Sequence, residues 1–251
     1  MIEKLTKIEE YIFQHKQVSL KTLMELFDLS ESTVRRYIGR LESDNLVRKE
    51  YGYVIANTSD NLVSIKARIN YLSLKKNKIS ELASMLIDDG DTIFIDSGTT
   101  HMHMTDMLKN KKDVTIVTNN LLFAIKVCDE DLPMDIIMIS GLINKKTISV
   151  SGDSAIRSLD EFYFDKAFIT VSGISQINGC SNRTSPESQI KRKILSRSKV
   201  KVLLADDSKF DTVFPFSFAN LWDFDYIVTN QKPDQSYLDL LTNTQTKLIW
   251  Q

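Results

Sequence analysis

The sequence predicts two folds in one chain: a small helical head closed by a two-stranded hairpin, then a larger α/β domain with helices against a sheet. Within residues 1–56, apolar residues recur at helical spacing in three short runs, and two β-prone runs follow. From about residue 90 onward, seven short apolar runs alternate with helical stretches, the pattern of a sheet faced by helices. Between them lies Asn57-Thr58-Ser59-Asp60-Asn61, a wholly polar stretch suited to a domain boundary. At 251 residues and 42% hydrophobic content, the chain is long enough for the second domain to bury its own core.

In the head, Leu5, Ile8, Ile12 and Phe13 mark a first amphipathic helix. After Val18, Ser19 is placed to cap a second helix carrying Leu20, Leu23, Met24 and Phe27. The turn Asp28-Leu29-Ser30 leads into a third helix, where Val34, Ile38 and Leu41 form a narrow apolar stripe. Ser32, Thr33, Arg35, Arg36, Tyr37 and Arg40 are expected to populate the rest of that helix and to face outward. Ser30 is suited to cap its start, where free amides and the helix dipole also favour a phosphate. Leu46 to Lys49 and Tyr53 to Ile55 then form strands around Glu50-Tyr51-Gly52, with Gly52 taking a positive φ.

A basic amphipathic helix alone is common on solvated surfaces. Two short helices, a tight turn, a basic helix and a basic hairpin in succession instead read as a winged helix-turn-helix that binds double-stranded operator DNA. The DNA-facing set is expected to be Ser19, Ser30, Ser32, Thr33, Arg35, Arg36, Tyr37, Arg40, Arg48 and Lys49. Charge supports this only locally, because residues 1–56 hold nine Lys or Arg and nine Asp or Glu. Modest nonspecific affinity follows, with tight binding depending on two half-sites engaged together.

The formal charge of −1 argues against a chain that coats nucleic acid along its whole length. Cys128 and Cys180 are isolated, which points to neither a disulfide framework nor a zinc site. His101 and His103 stand two apart, share no helical face and have no third ligand, so no metal and no cofactor are expected. The N-terminus lacks the apolar region of a signal peptide, and no uncharged run approaches the roughly 20 residues of a spanning helix. A cytoplasmic protein free of the membrane is the expectation.

Ile65, Ile69 and Leu72, then Ile79, Leu82 and Leu86, keep helical spacing on either side of Lys75-Lys76-Asn77-Lys78. They predict a linker helix, a break, and the first helix of the second domain. The expected bounds are 1–56 for the head, 57–75 for the linker helix and 76–251 for the α/β domain. Its strands are predicted at 92–95, 114–118, 136–139, 167–171, 200–205, 226–229 and 247–249. In open α/β sheets, ligands bind beyond the carboxyl ends of the strands, and small, hydroxylated and amide residues gather there. Asp96, Ser97, Gly98, Thr99 and Thr100 read as a phosphate-cradling turn into a helix. Asn119, Asn120, Ser140, Gly141 and Gly173 are expected beside it, with Asp206 and Lys209 at the same edge and Lys209 as a cation for phosphate. Glu187, Lys191 and Arg192 begin a helix after Pro186, where capping or surface pairing competes with a ligand role; Glu187 is counted with the effector site. The aromatic run Phe210, Phe214, Phe216, Phe218, Trp222 and Phe224 reads as core or dimer surface.

The whole chain resembles the DeoR family of bacterial transcriptional regulators. The resemblance rests on Val18-Ser19, Ser30 to Arg36, Leu41-Glu42, Gly90 to Thr100, Val117-Thr118-Asn119, Phe164 to Phe168, Ser172-Gly173-Ile174 and Ala205 to Phe210. It implies a winged helix joined to a sensor domain related in fold to ribose-5-phosphate isomerase and glucosamine-6-phosphate deaminase. It also implies repression of a sugar-catabolic operon, released by a phosphorylated sugar, and a homodimer or homotetramer without catalytic residues. Family members usually carry Asp where Tyr37 stands, and Gly-Gly pairs where Gly52-Tyr53 and Ser140-Gly141 stand. The alternatives are a sugar-phosphate isomerase or deaminase-like enzyme, with Asp96, Asp206, Asp207 and Glu187 as available carboxylates, or an activator with a non-phosphosugar effector.

Overall fold

The computed structural model describes residues 2–43, 46–57, 69 and 72–251. The chain divides into two compact units, residues 1–74 and 75–251.

In the first unit, α1 (Ile2–His15), α2 (Leu20–Phe27) and α3 (Glu31–Ser43) pack with β1 (Gln17–Ser19), β2 (Val47–Glu50) and β3 (Tyr53–Ala56). The strands form an antiparallel sheet in the order β1-β3-β2. Ser19 caps α2 by accepting from the Thr22 amide at 3.0 Å, and Ser30 caps α3 by accepting from Thr33 at 3.3 Å. Asp28, at φ 49°, ends α2 in the left-handed region, where its short polar side chain is tolerated. Ile8, Ile12, Leu23, Val34, Ile38 and Val54 are fully buried at the centre.

Tyr37 departs from expectation. It is buried within this core and does not stand among the outward-facing residues of α3. Val34, Tyr37, Ile38 and Leu41 are spaced i, i+3, i+4 and i+7, so the buried stripe of α3 is one residue wider than the narrow one read from the sequence.

Most of the expected linker helix lies outside the described residues. The expected break at Lys75 to Lys78 is absent, because α4 (Ser73–Ser84) runs through it. Two of its lysines face carboxylates of the second unit. Lys75 lies 2.8 Å from Asp207, and the charge of the buried Lys76 acts on Asp206.

The second unit is built on one parallel sheet in the order β15-β14-β12-β9-β4-β5-β6. Its strands are β4 (Thr92–Ile95), β5 (Thr115–Thr118), β6 (Asp135–Met138), β9 (Phe164–Thr170), β12 (Ser198–Leu204), β14 (Tyr226–Val228) and β15 (Lys247–Ile249). Each falls on a predicted run. From β4 the chain steps outward through β5 and β6, then returns to lay β9 on the other side of β4. The strand order therefore reverses at β4, the position where such sheets leave a crevice. Helices α5 (Thr105–Leu108), α6 (Leu121–Asp129), α7 (Asp153–Ser158), α8 (Ser185–Ser196) and α9 (Gln235–Leu241) accompany the sheet. The core includes Phe94, Phe164, Ile169, Leu203 and Phe224, with the rings of Phe94 and Phe164 edge to face at 5.3 Å.

Two smaller pairings were not foreseen. The hairpin β7 (Leu142–Asn144) and β8 (Ser149–Ser151) leaves Leu142 and Ile143 exposed, and β10 (Gly173–Ser175), β11 (Gly179–Asn182) and β13 (Phe216–Ala219) form a separate antiparallel sheet. The aromatic run is split accordingly: Phe218 and Phe224 are buried, while Phe216 and Trp222 reach solvent.

Candidate functional site

On the head, the outward face of α3 carries Ser32, Arg35, Arg36 and Arg40, all exposed, with Thr33 half-buried. The guanidinium of Arg36 lies 5.4 Å from the centroid of the Tyr37 ring, so the buried tyrosine props up an exposed cation. Arg35 pairs with Glu31 at 2.6 Å one turn back. In the hairpin, Arg48 pairs with Glu50 at 2.9 Å and Lys49 with Glu42 at 2.6 Å. These pairs are solvated and weak, worth about 0–1 kcal/mol each, so a phosphate can compete for the cations. Ser19 and Ser30 are occupied as helix caps, each accepting from an amide of the first turn of its helix.

At the carboxyl edge of the sheet, Asp96 is the hub. It is 1% exposed and follows β4, between the ends of β5 and β9. Its carboxylate lies 2.9 Å from Lys191 Nζ and 3.1 Å from His101 Nδ1. It also accepts hydrogen bonds from the Thr170 amide, the Thr170 hydroxyl and the Gly98 amide. Burial works to raise the Asp96 pKa, but the charge of Lys191 beside it, its hydrogen bond and the adjacent His101 ring outweigh it. The carboxyl is held far below the usual carboxylate range. Lys191 is itself buried, donates to the Thr170 carbonyl and lies 5.3 Å from the Phe218 ring. The sequence left its role open, and the structure makes it the counter-ion of Asp96.

This changes the reading of the 96–100 turn. Gly98 is required by a protein contact, since a Cβ there would meet the Thr170 side chain at 2.3 Å, and its amide is spent on Asp96. The expected helix begins as a short 3-10 turn, Thr99–His103, with Thr99 and Thr100 mostly buried and Ser97 half-exposed. Asn120 caps α6 through the Phe123 amide and donates to the carbonyls of Asp96 and Gly98, tying the ends of β4 and β5 together.

Asn119 and Glu187 come together in a cleft of about 250 Å³, lined also by Asn144, Ser149, Ser151 and Thr184. Asn119 is buried; its amide donates to the Val150 carbonyl, and its Oδ1 has no hydrogen-bond partner among the described residues. Glu187 lies in the first turn of α8, one turn before Lys191, which links the cleft to the Asp96 hub. Asn144, Ser149, Ser151 and Thr184 were not singled out from the sequence. Their signal was the alternation of polar residues around Val150 and the position of Thr184 just before α8.

Other expected members are engaged elsewhere. Ser140 is exposed and donates to the Ser154 carbonyl; Gly141, at φ +138°, lies against the Ser151 carbonyl and Val150. Gly173 belongs to the antiparallel sheet, where a Cβ would strike the Thr212 carbonyl at 2.4 Å. Asp206 is buried and turned back on its own loop, accepting from the Ser208 amide and pairing with Lys209 at 3.1 Å. Burial works to raise the Asp206 pKa, yet Lys209 and Ser208 hold it below the usual range. The cation expected for phosphate is therefore already matched to an acid.

No described helix is long and apolar enough to cross a membrane. The family model described as the DeoR-like helix-turn-helix domain matches residues 5–60, and that of the DeoR C terminal sensor domain matches residues 73–231. The chain is 35% identical to the HTH-type transcriptional regulator IolR of Bacillus subtilis, over 93% of this chain and 93% of that one. It is 30% identical to the HTH-type transcriptional repressor GlcR of the same organism, over 98% of this chain and 95% of the relative. The glycerol-3-phosphate regulon repressor of Haemophilus influenzae is 28% identical over 97% of this chain and 94% of its own. Among solved structures, ribose 5-phosphate isomerase from Plasmodium falciparum is similar at a TM-score of 0.40 and 15% identity, covering 56% of this chain and 53% of that one. That likeness is too remote to bear on chemistry. The regulators match both units in order and over nearly their full length, and the chain belongs to the DeoR family of helix-turn-helix transcriptional regulators.

Proposed function

We propose that the chain represses a sugar-catabolic operon and releases its operator when a phosphorylated sugar enters the cleft beside Asn119. The observation that carries this reading is the polar part of the lining: amides and hydroxyls from Asn119, Asn144, Ser149, Ser151 and Thr184 with one carboxylate, Glu187, beside the apolar Val150, Pro186 and Ile190, at the carboxyl edge of the sheet. Such a set accepts from and donates to several hydroxyl groups at once, as a sugar requires. Strand β5 ends opposite β4, with Thr118 across from Ile95, and we assign the phosphate to the half-exposed Ser97 just beyond that neighbouring strand end. Repressors among the relatives, one of them named as a glycerol-3-phosphate regulon repressor, support this reading.

Helix α4 is the element through which binding reaches the head. It is the first described helix after the polar boundary, and it holds two of the strand-end turns: Ser80 donates to the Thr100 carbonyl at 2.9 Å, and Lys75 pairs with Asp207. A ligand that shifts the 96–100 turn acts on α4 directly. Two heads on one duplex must match a spacing of about 34–36 Å or its multiples, so a small shift is enough to prevent both from docking.

Thermal unfolding of the full chain with a panel of sugar phosphates, their free sugars and inorganic phosphate tests the effector class. A phosphorylated sugar that stabilises the chain where its parent does not is the expected result; equal shifts from parent and phosphate would contradict it. Glu187→Gln is expected to weaken that effector about tenfold or more by calorimetry, since a hydrogen bond to a charged group is worth about 1.5–3 kcal/mol.

A further inference from the structure

The cleft beside Asn119 holds acceptors and no cation. Asn119 is 4% exposed; its backbone carbonyl accepts from the Val150 amide at 2.8 Å, and its side-chain amide donates to the Val150 carbonyl at 3.1 Å. The second bond fixes the orientation of the side chain, because only the NH2 end can serve a carbonyl. Oδ1 is therefore an acceptor held in place, buried and without a partner among the described residues. A buried polar atom left unpaired is costly, and on the wall of a cleft it calls for a ligand donor. Glu187 is a second acceptor: its carboxylate has no ion pair or hydrogen bond among the described residues, and no Lys, Arg or His lines the cleft. Lys191, one turn further along α8, is committed to Asp96 at 2.9 Å and to the Thr170 carbonyl. Lys145 and Lys146 are exposed in the turn of the β7–β8 hairpin, outside the lining. Thr184 does not cap α8 with its side chain, so its hydroxyl oxygen is a third acceptor on the same wall.

We propose that the effector is a phosphorylated amino sugar, whose ammonium group donates to the Glu187 carboxylate, Asn119 Oδ1 and the Thr184 hydroxyl. This rests on the reading that a phosphorylated sugar occupies the cleft, and narrows it. An ammonium brings three donors and a positive charge, which match three acceptors and an unpaired carboxylate. A sugar hydroxyl in its place supplies one donor and leaves the carboxylate uncompensated. An N-acetylated nitrogen likewise keeps one donor and loses the charge.

Calorimetry on the full chain tests this with the 6-phosphates of glucosamine, galactosamine and mannosamine, of glucose, galactose and mannose, and of the three N-acetylated amines. In the amines the nitrogen and the phosphate stand at opposite ends of the sugar. At least one amine is expected to bind about tenfold or more tighter than both its hydroxyl and its N-acetyl counterpart, since a charge-assisted hydrogen bond replaces a neutral one. Glu187→Gln keeps the shape and a carbonyl acceptor but removes the charge. In that variant the preference for amine over hydroxyl is expected to fall to about twofold or less, with the melting temperature of the free protein near the wild-type value. Hydroxyl phosphates that bind as well as every amine overturn the amino-sugar assignment and leave the phosphorylated-sugar reading in place. An amine preference that Glu187→Gln retains also overturns it, because the charge is then read elsewhere. If no member of the panel binds, the assignment falls too, and thermal unfolding with the wider set of sugar phosphates decides separately whether any of that class is the effector.

Discussion

Lys191→Met is expected to destabilise the second unit by about 3–5 kcal/mol at neutral pH, because it strands a buried carboxylate. Lys191 and Asp96 are 6% and 1% exposed, and their charged atoms are 2.9 Å apart. The pH dependence has a defined sign. Asp96 has a folded pKa below its unfolded value of 3.8, so its stabilising contribution is complete above that value and fades as the pH falls below it. Without Lys191, burial dominates and the carboxyl takes up a proton more readily, so the cost of the substitution shrinks as the solution is acidified toward pH 4. Pairing Lys191→Met with Asp96→Asn removes both charges and is expected to recover a substantial part of the loss. Urea unfolding of the four proteins of this cycle measures it; simple additivity would show that the two side chains do not act as a pair.

Replacing Arg35 and Arg36 together by Ala is expected to remove operator binding while leaving the head folded. Both are exposed on α3, and neither contributes to the core of the first unit. Each arginine that contacts a base edge is worth about 1–3 kcal/mol, so the pair accounts for roughly 30-fold or more in affinity. The cost to stability is small, since the Arg35–Glu31 pair is solvated and worth about 0.3–0.5 kcal/mol. Electrophoretic shifts check the affinity and thermal unfolding checks the fold. Unchanged binding would take the DNA-reading role away from α3.

The seven parallel strands were legible because each is a short apolar run bounded by polar turn residues, and β-branched residues such as Ile93, Ile95, Val117 and Ile169 mark them. The hairpin β7–β8 was hidden because its first strand shows Leu142 and Ile143 to solvent together, without the alternation that reveals a half-buried strand. The strand β11 reads Gly-Cys-Ser-Asn, residues of low strand propensity, and is fixed by its neighbours β10 and β13. For two side chains, one misread as outward-facing and one left open, spacing is the better guide than chemistry. Tyr37 lies one helical turn from Val34 and Leu41 and is core; Lys191 lies between Ile190, Ile194 and Leu195 on the buried face of α8. A cation on an apolar stripe announces a buried acid, here Asp96, three-dimensionally adjacent but 95 residues earlier in the chain. The glycines had a further ambiguity, because close approach to a ligand and close approach to a neighbouring segment of the chain demand the same residue; Gly98 and Gly173 serve the second.

Release of DNA by effector is the most direct test of the coupling between the two units. A preformed complex of the full chain with its selected duplex, followed by fluorescence anisotropy, is titrated with the sugar phosphate that stabilises the protein. Anisotropy is expected to fall to the value of free DNA, and Lys75→Met is expected to bind the same ligand while holding the duplex. Anisotropy that stays constant at saturating ligand would mean that the cleft at the sheet edge does not govern the head.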